Sequence, residues 1–149
     1  MVLENNTTVR RKLKMVKLII GARGSGKTKH LIELVNDAAS ASKGSVVCVE
    51  YGNTLNFDVT HKARLVDTTA FAISNADSLY GFIAGLAASD HDITDIFVDA
   101  AMKICNYDLA AVEYLVGKVA KLAENYEFNL IMTISANPDD CSETLRKYM

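Results

Sequence analysis

Eight consecutive residues, Gly21-Ala22-Arg23-Gly24-Ser25-Gly26-Lys27-Thr28, set three glycines ahead of a lysine and a hydroxyl. The spacing G-x-x-x-x-G-K-[ST] suits a loop that wraps phosphate. Glycines let the backbone curl and turn successive N–H groups inward, and a helix starting directly after the loop adds a favourable dipole. Lys27 supplies a compact positive charge for the β- and γ-phosphates of a nucleoside triphosphate, and Thr28 supplies a hydroxyl for the accompanying Mg2+. Lys29 extends the binding stretch, and Arg23 adds a second charge inside the loop.

A magnesium ion held this way also needs a carboxylate. Ile96-Phe97-Val98-Asp99 is an apolar strand ending in one, which makes Asp99 the candidate metal residue. Asp95 begins the same strand and belongs at the opposite end of the sheet. Hydrolysis further requires a group that orients or deprotonates a water, but Asp99 is followed by Ala100 and Ala101. Glu50, at the end of another apolar strand, is the substitute, so Lys27 and Glu50 form the candidate catalytic pair. Asp67 is a rival to Glu50, and a solvated strand end is the plainer reading of either. Ser135 and Asn137 are candidate γ-phosphate sensors, although Asn137 also reads as a helix cap. Arg146 and Lys147 read as phosphate contacts or as ordinary solvated bases.

Strands and helices must position these groups. Met15 to Ile20 is a short apolar run rich in β-branched residues, reading as a buried strand that feeds the glycine loop. Leu31, Ile32, Leu34, Val35, Ala38 and Ala39 give the next helix its apolar face, and the cluster from Ser40 to Gly44 ends it. Val46 to Val49 is a second strand. Between Asn53 and Thr69, the alternation of Leu55, Phe57 and Val59 and the run Arg64 to Val66 predict one or two further short strands. Ser74 and Asp77 have capping-box spacing ahead of a helix through Leu79, Phe82, Ile83 and Leu86, in which the spacing of Gly81 and Gly85 permits close approach to the sheet or to another subunit, close packing within the domain being the plainer reading. A strand at 94–98, a helix through Leu109, Val112, Val116, Val119 and Ala123, and a strand at 128–134 follow. Asn137-Pro138-Asp139-Asp140 predicts the start of a terminal helix. The alternation predicts an α/β fold: a three-layer sandwich with a mainly parallel sheet of about five strands and helices on both faces.

The 149 residues fit one domain, read as a basic polar leader at 1–14 and a single nucleotide-binding domain at 15–149. Residues 1–29 carry eight Lys or Arg against one acid, leaving eight bases and 17 acids in the rest of the chain. That acidic remainder disfavours nucleic acid as a partner, and the leader has no aromatic residue for base stacking. Apolar runs are too short to insert in a membrane, and no secretory signal pattern opens the chain. The three cysteines, Cys48, Cys105 and Cys141, are odd in number and show no C-x-x-C spacing, which suits a reduced, cytoplasmic protein. His30, His61 and His91 have no metal-ligand spacing.

At Gly21 to Thr28 and Ile96 to Asp99 the chain resembles the P-loop NTPase superfamily. It is also similar to short bacterial P-loop proteins of Firmicutes loosely labelled twitching-motility ATPases. The strand from Phe128 to Ser135 looks like the sensor strand of the additional-strand ATPase branch, which implies that it lies between the phosphate-loop strand and the Asp99 strand. The resemblance implies a Walker A loop at 21–28, Asp99 as the Walker B carboxylate, and ATP rather than GTP. Asp99-Ala-Ala-Met102 lacks the glycine of the GTPase D-x-x-G motif, and no N-K-x-D motif occurs. Three functions follow as expectations: slow or partner-stimulated ATP hydrolysis, a non-hydrolysing nucleotide-gated module that presents a surface to a protein partner, and a small-molecule kinase.

Overall fold

The computed structural model describes residues 15–149, so the expectation for the leader at 1–14 lies outside it. The chain runs β1 (Val16–Gly21), α1 (Lys27–Ala41), β2 (Ser45–Glu50), β3 (Ala63–Asp67), a 3-10 turn (Thr68–Phe71) and α2 (Ala76–Ser89). It continues through β4 (Ile93–Val98), α3 (Ala101–Ile104), α4 (Leu109–Tyr126), β5 (Asn129–Ser135), a second 3-10 turn (Pro138–Asp140) and α5 (Glu143–Arg146). All five strands are parallel, in the order β1-β5-β4-β2-β3. The fold is therefore α/β with three layers, as the alternation predicts. The last strand is inserted between the first and the fourth, the order that the resemblance implies.

Both faces of the sheet are covered, which explains why β2 is apolar from Val46 to Val49 without alternation. On one face Leu31, Val35 and Ala39 of α1 pack on Val46, Cys48 and Phe97. On the other, Leu79, Ile83 and Ala87 of α2 and Val112, Leu115, Val116 and Val119 of α4 cover Val47, Val49, Ile96, Val98 and Met132. Burying each such aliphatic side chain contributes about 1.5–3 kcal/mol, so the helix faces hold the strand ends at one level. Among the described residues no helix is long and apolar enough to cross a membrane.

Four details differ from the expectations. The alternation at Leu55, Phe57 and Val59 is not a strand: residues 51–59 run through turns and bends, with Leu55 and Val59 buried and Phe57 fully exposed. Parallel β2 and β3 need a crossover, and residues 51–62 provide it without a helix, tucking the two apolar side chains against the α1 layer. The α2 cap sits one residue later than expected. Asn75 Oδ1 accepts from the Ser78 amide at 2.8 Å while Ser78 Oγ accepts from the Asn75 amide at 3.1 Å. Asp77 instead lies in the first turn, where its charge suits the positive helix end. Asn75→Ala should cost about 1 kcal/mol, read as a lower urea midpoint at unchanged slope; an unchanged midpoint would show that the cap contributes nothing.

The third difference concerns Gly81 and Gly85, which are exposed and have no atom within 4 Å of a Cβ built on either. They follow the buried Leu79 and Ile83 by two positions, about 200° around the helix, and so face away from the sheet. The fourth is the terminal helix, which is broken into a 3-10 turn capped by Asn137 and a short α5 capped by Ser142. The chain end after α5 is instead used at the sheet edge, where the Leu18 amide donates to the Tyr148 carbonyl at 2.8 Å.

Candidate functional site

The strands end together. Gly21 of β1 lies opposite Ser135 of β5, and Val49 of β2 lies opposite Val98 of β4, so the residues that leave them share one rim. The glycine loop rises from this rim into α1. Gly24 and Gly26 have φ of 81° and 86°, the left-handed region that side chains disfavour, and this pair of bends aims the chain back over β1. No side chain caps α1 and its first turn carries no acid, which leaves the leading amides available to an anion. Lys27 crosses back over the loop, its Nζ donating to the Ala22 carbonyl at 2.8 Å and to Ser25 Oγ at 3.4 Å. Partial burial lowers the Lys27 ammonium from its usual value, an effect that the charge of Asp99 opposes.

Asp99 follows β4 directly, and its amide donates to the Val49 carbonyl at 2.8 Å, continuing the sheet ladder. Its carboxylate is buried and lies against α1. The Thr28 hydroxyl reaches both carboxylate oxygens at 3.2 Å. Thr133 Oγ1 of β5 donates to Asp99 Oδ1 at 2.7 Å and accepts from the Ala100 amide at 2.9 Å. Three elements therefore fix one carboxylate. Thr133 was not among the residues read from the sequence as functional, although a threonine inside Leu-Ile-Met-Thr-Ile was a signal: a buried hydroxyl needs a partner.

Around these groups opens a cleft of about 460 Å³, lined by Arg23, Gly24, Gly26, Lys27, Thr28 and Lys29 of the loop and α1. Asp99, Thr133 and Ser135 from the strand ends also line it, as do Met102, Lys103 and Tyr107 of the segment after Asp99. Four bases face one acid there, a reversal of the acidic balance outside the first 29 residues. Of the expected sensors, Ser135 lines the cleft. Asn137 does not; its side chain accepts from the Asp139 amide at 3.0 Å as a cap. Arg146 is likewise engaged elsewhere, its Nε donating to the Cys141 carbonyl at 2.8 Å. Asp95 lies at the other end of β4, bonded by Thr94 and Asn129.

Glu50 leaves β2 beside Asp99 but does not line the cleft. Its Oε1 accepts from the Thr54 amide and hydroxyl and from the Leu55 amide at 3.0 to 3.3 Å, pinning the start of the crossover loop. Its Oε2 is buried with no hydrogen-bond partner among the described residues, and burial raises the carboxyl above its usual value. Asp67 is occupied by the Thr69 amide and hydroxyl and the Gly52 amide, and the Thr69 hydroxyl bond leads in lowering its carboxyl from the usual value. Cys48, one turn of pleat below Glu50, is pushed by burial up to about 12, helped by the charges of Asp99 and Glu50, so its thiol is inert.

The donor set at Thr28 and Asp99 fits magnesium, which takes hard oxygen ligands and few from the protein. Among the described residues no group of three or more His, Cys, Asp or Glu offers a self-sufficient metal cage. The Thr28 hydroxyl and the Asp99 carboxylate, already within hydrogen-bond distance of each other, are the groups that would hold such an ion. Neither a protein-family model nor a curated protein sequence matches this chain.

Proposed function

We propose that this chain binds a nucleoside triphosphate, ATP, with Mg2+, in the cleft between the glycine loop and Asp99. The observation that carries the reading is the contact of the Thr28 hydroxyl with both Asp99 oxygens, beside a glycine loop whose Lys27 lines the same cleft and whose helix has no side-chain cap among the described residues. The loop amides and Lys27 bind the β- and γ-phosphates, Lys29 and Arg23 add charge along the chain of phosphates, and Ser135, which lines the same cleft, senses the γ-phosphate. Thr28 and Asp99 hold the magnesium, which when bound neutralises phosphate charge. Buried, unpaired cysteines support a cytoplasmic location.

Hydrolysis is the first activity proposed for the site. Glu50 takes a proton from a water that attacks the γ-phosphorus in line, the bond to the β-bridging oxygen breaks, and ADP and phosphate result. Glu50 is sequestered by residues 54 and 55, so it acts only when that loop opens, which makes turnover slow and responsive to a partner. The same sequestration favours the second reading, a module that holds ATP and presents its rim without turnover. Calorimetric titration of ATP and of GTP, each with magnesium, tests the central proposal. Micromolar or tighter binding with preference for ATP is expected, whereas no heat from either nucleotide would remove it.

A further inference from the structure

We propose that Lys103 is a sensor of the terminal phosphate, resting on Tyr51 and moving onto the γ-phosphate when a triphosphate occupies the cleft. The inference rests on the nucleotide-binding reading above and adds a residue that neither the glycine loop nor Asp99 supplies.

Ala100 adopts φ 62°, ψ 46°, a left-handed conformation that residues with a Cβ disfavour, and this bend launches α3 straight from Asp99. The bend is held by the Ala100 amide on Thr133 Oγ1, the same hydroxyl that donates to Asp99. Ala101, Met102, Ile104 and Cys105 are buried, so the turn is anchored on four sides and Lys103 is its one exposed side chain. The Tyr107 amide closes the segment on the Met102 carbonyl at 2.7 Å. A short, strained, well-anchored turn thus presents a flexible cation to the same cleft that Lys27 lines.

Lys103 is also engaged on its other side. Its Nζ lies 4.6 Å from the centre of the Tyr51 ring, and Tyr51 is half-exposed at the start of the loop whose next turn is pinned by Glu50. An exposed cation–π contact is weaker than a charge-assisted bond to phosphate. A terminal phosphate therefore outcompetes the ring, while a diphosphate, which ends one group earlier, does not offer the lysine a partner. The exchange reports the difference between ATP and ADP to the loop that holds Glu50.

The test is the affinity of wild type, Lys103→Met, Lys103→Arg, Tyr51→Ala and Lys27→Ala for ATP and for ADP, each with magnesium. Lys103 is exposed, so its variants leave the core untouched. Lys103→Met should lose about tenfold on ATP with ADP unchanged, and Lys103→Arg should retain most of the ATP affinity. Tyr51→Ala should bind ATP about two- to fivefold tighter with ADP unchanged, because the resting contact is gone. Lys103→Met that leaves ATP affinity unchanged, or lowers ATP and ADP equally, overturns the sensor while the nucleotide site, marked by losses on both ligands in Lys27→Ala, stands. Unchanged ATP affinity in Tyr51→Ala overturns the resting contact. A wild type that binds neither nucleotide removes the parent reading and the sensor together.

Discussion

Lys27→Ala is expected to weaken ATP binding by about ten- to more than a hundredfold in calorimetry with magnesium, while the thermal midpoint stays close to that of wild type. The loss follows from removing one charge-assisted contact worth about 1.5–3 kcal/mol. The fold should tolerate it because, among the described residues, the ammonium bonds the Ala22 carbonyl and Ser25 hydroxyl of its own loop, both in exposed residues. Those bonds are a resting arrangement that a phosphate replaces. Equal ATP affinity in the two proteins would mean that Lys27 stays folded onto Ala22, and the phosphate-binding role of the loop would have to be abandoned.

Glu50→Gln is expected to lower magnesium-dependent phosphate release by about 10²–10⁴-fold, the usual contribution of a positioned general base. ATP affinity should be unchanged, since Glu50 does not line the cleft. Stability supplies an independent check with its own sign. Burial raises the Glu50 carboxyl, so the folded state holds its proton more tightly than the unfolded chain does. Its contribution to stability is full below the ordinary glutamate value of about 4.3 and is lost as pH rises through the higher folded value. The wild type should accordingly lose stability over that window relative to Glu50→Gln, whose side chain does not titrate. Phosphate release that is equally slow in both proteins would remove Glu50 from catalysis and favour the nucleotide-gated module.

The glycine loop and Asp99 were legible from the sequence because the information is local. Gly21 to Thr28 is one continuous stretch, and Asp99 ends a run of apolar residues whose burial the sheet requires. Glu50 was legible as a strand end, but its bonds to Thr54 and Leu55 were not, since they depend on how the β2–β3 crossover folds back. The same crossover misled the strand reading: Leu55 and Val59 are buried as the anchors of a turn-rich loop, and a period of two over three residues does not separate that from a strand. Gly81 and Gly85 misled for a related reason, because spacing states which residues share a helix face and not which face meets the sheet.

Hydrophobic alternation thus determined the α/β class and the element order, and the spacing of glycine, lysine and hydroxyl supplies the phosphate-binding proposal, all from short stretches of chain. The place of β5 between β1 and β4 was implied by the family resemblance and by no local pattern, and tertiary structure alone decided that Thr133 comes against Asp99. It also decided that the left-handed bend at Ala100 turns Lys103 toward Tyr51, and that Asn137 serves as a cap away from the cleft. Such contacts join residues tens of positions apart, and they are selected by how side chains fill the space between sheet and helices, which no local pattern encodes.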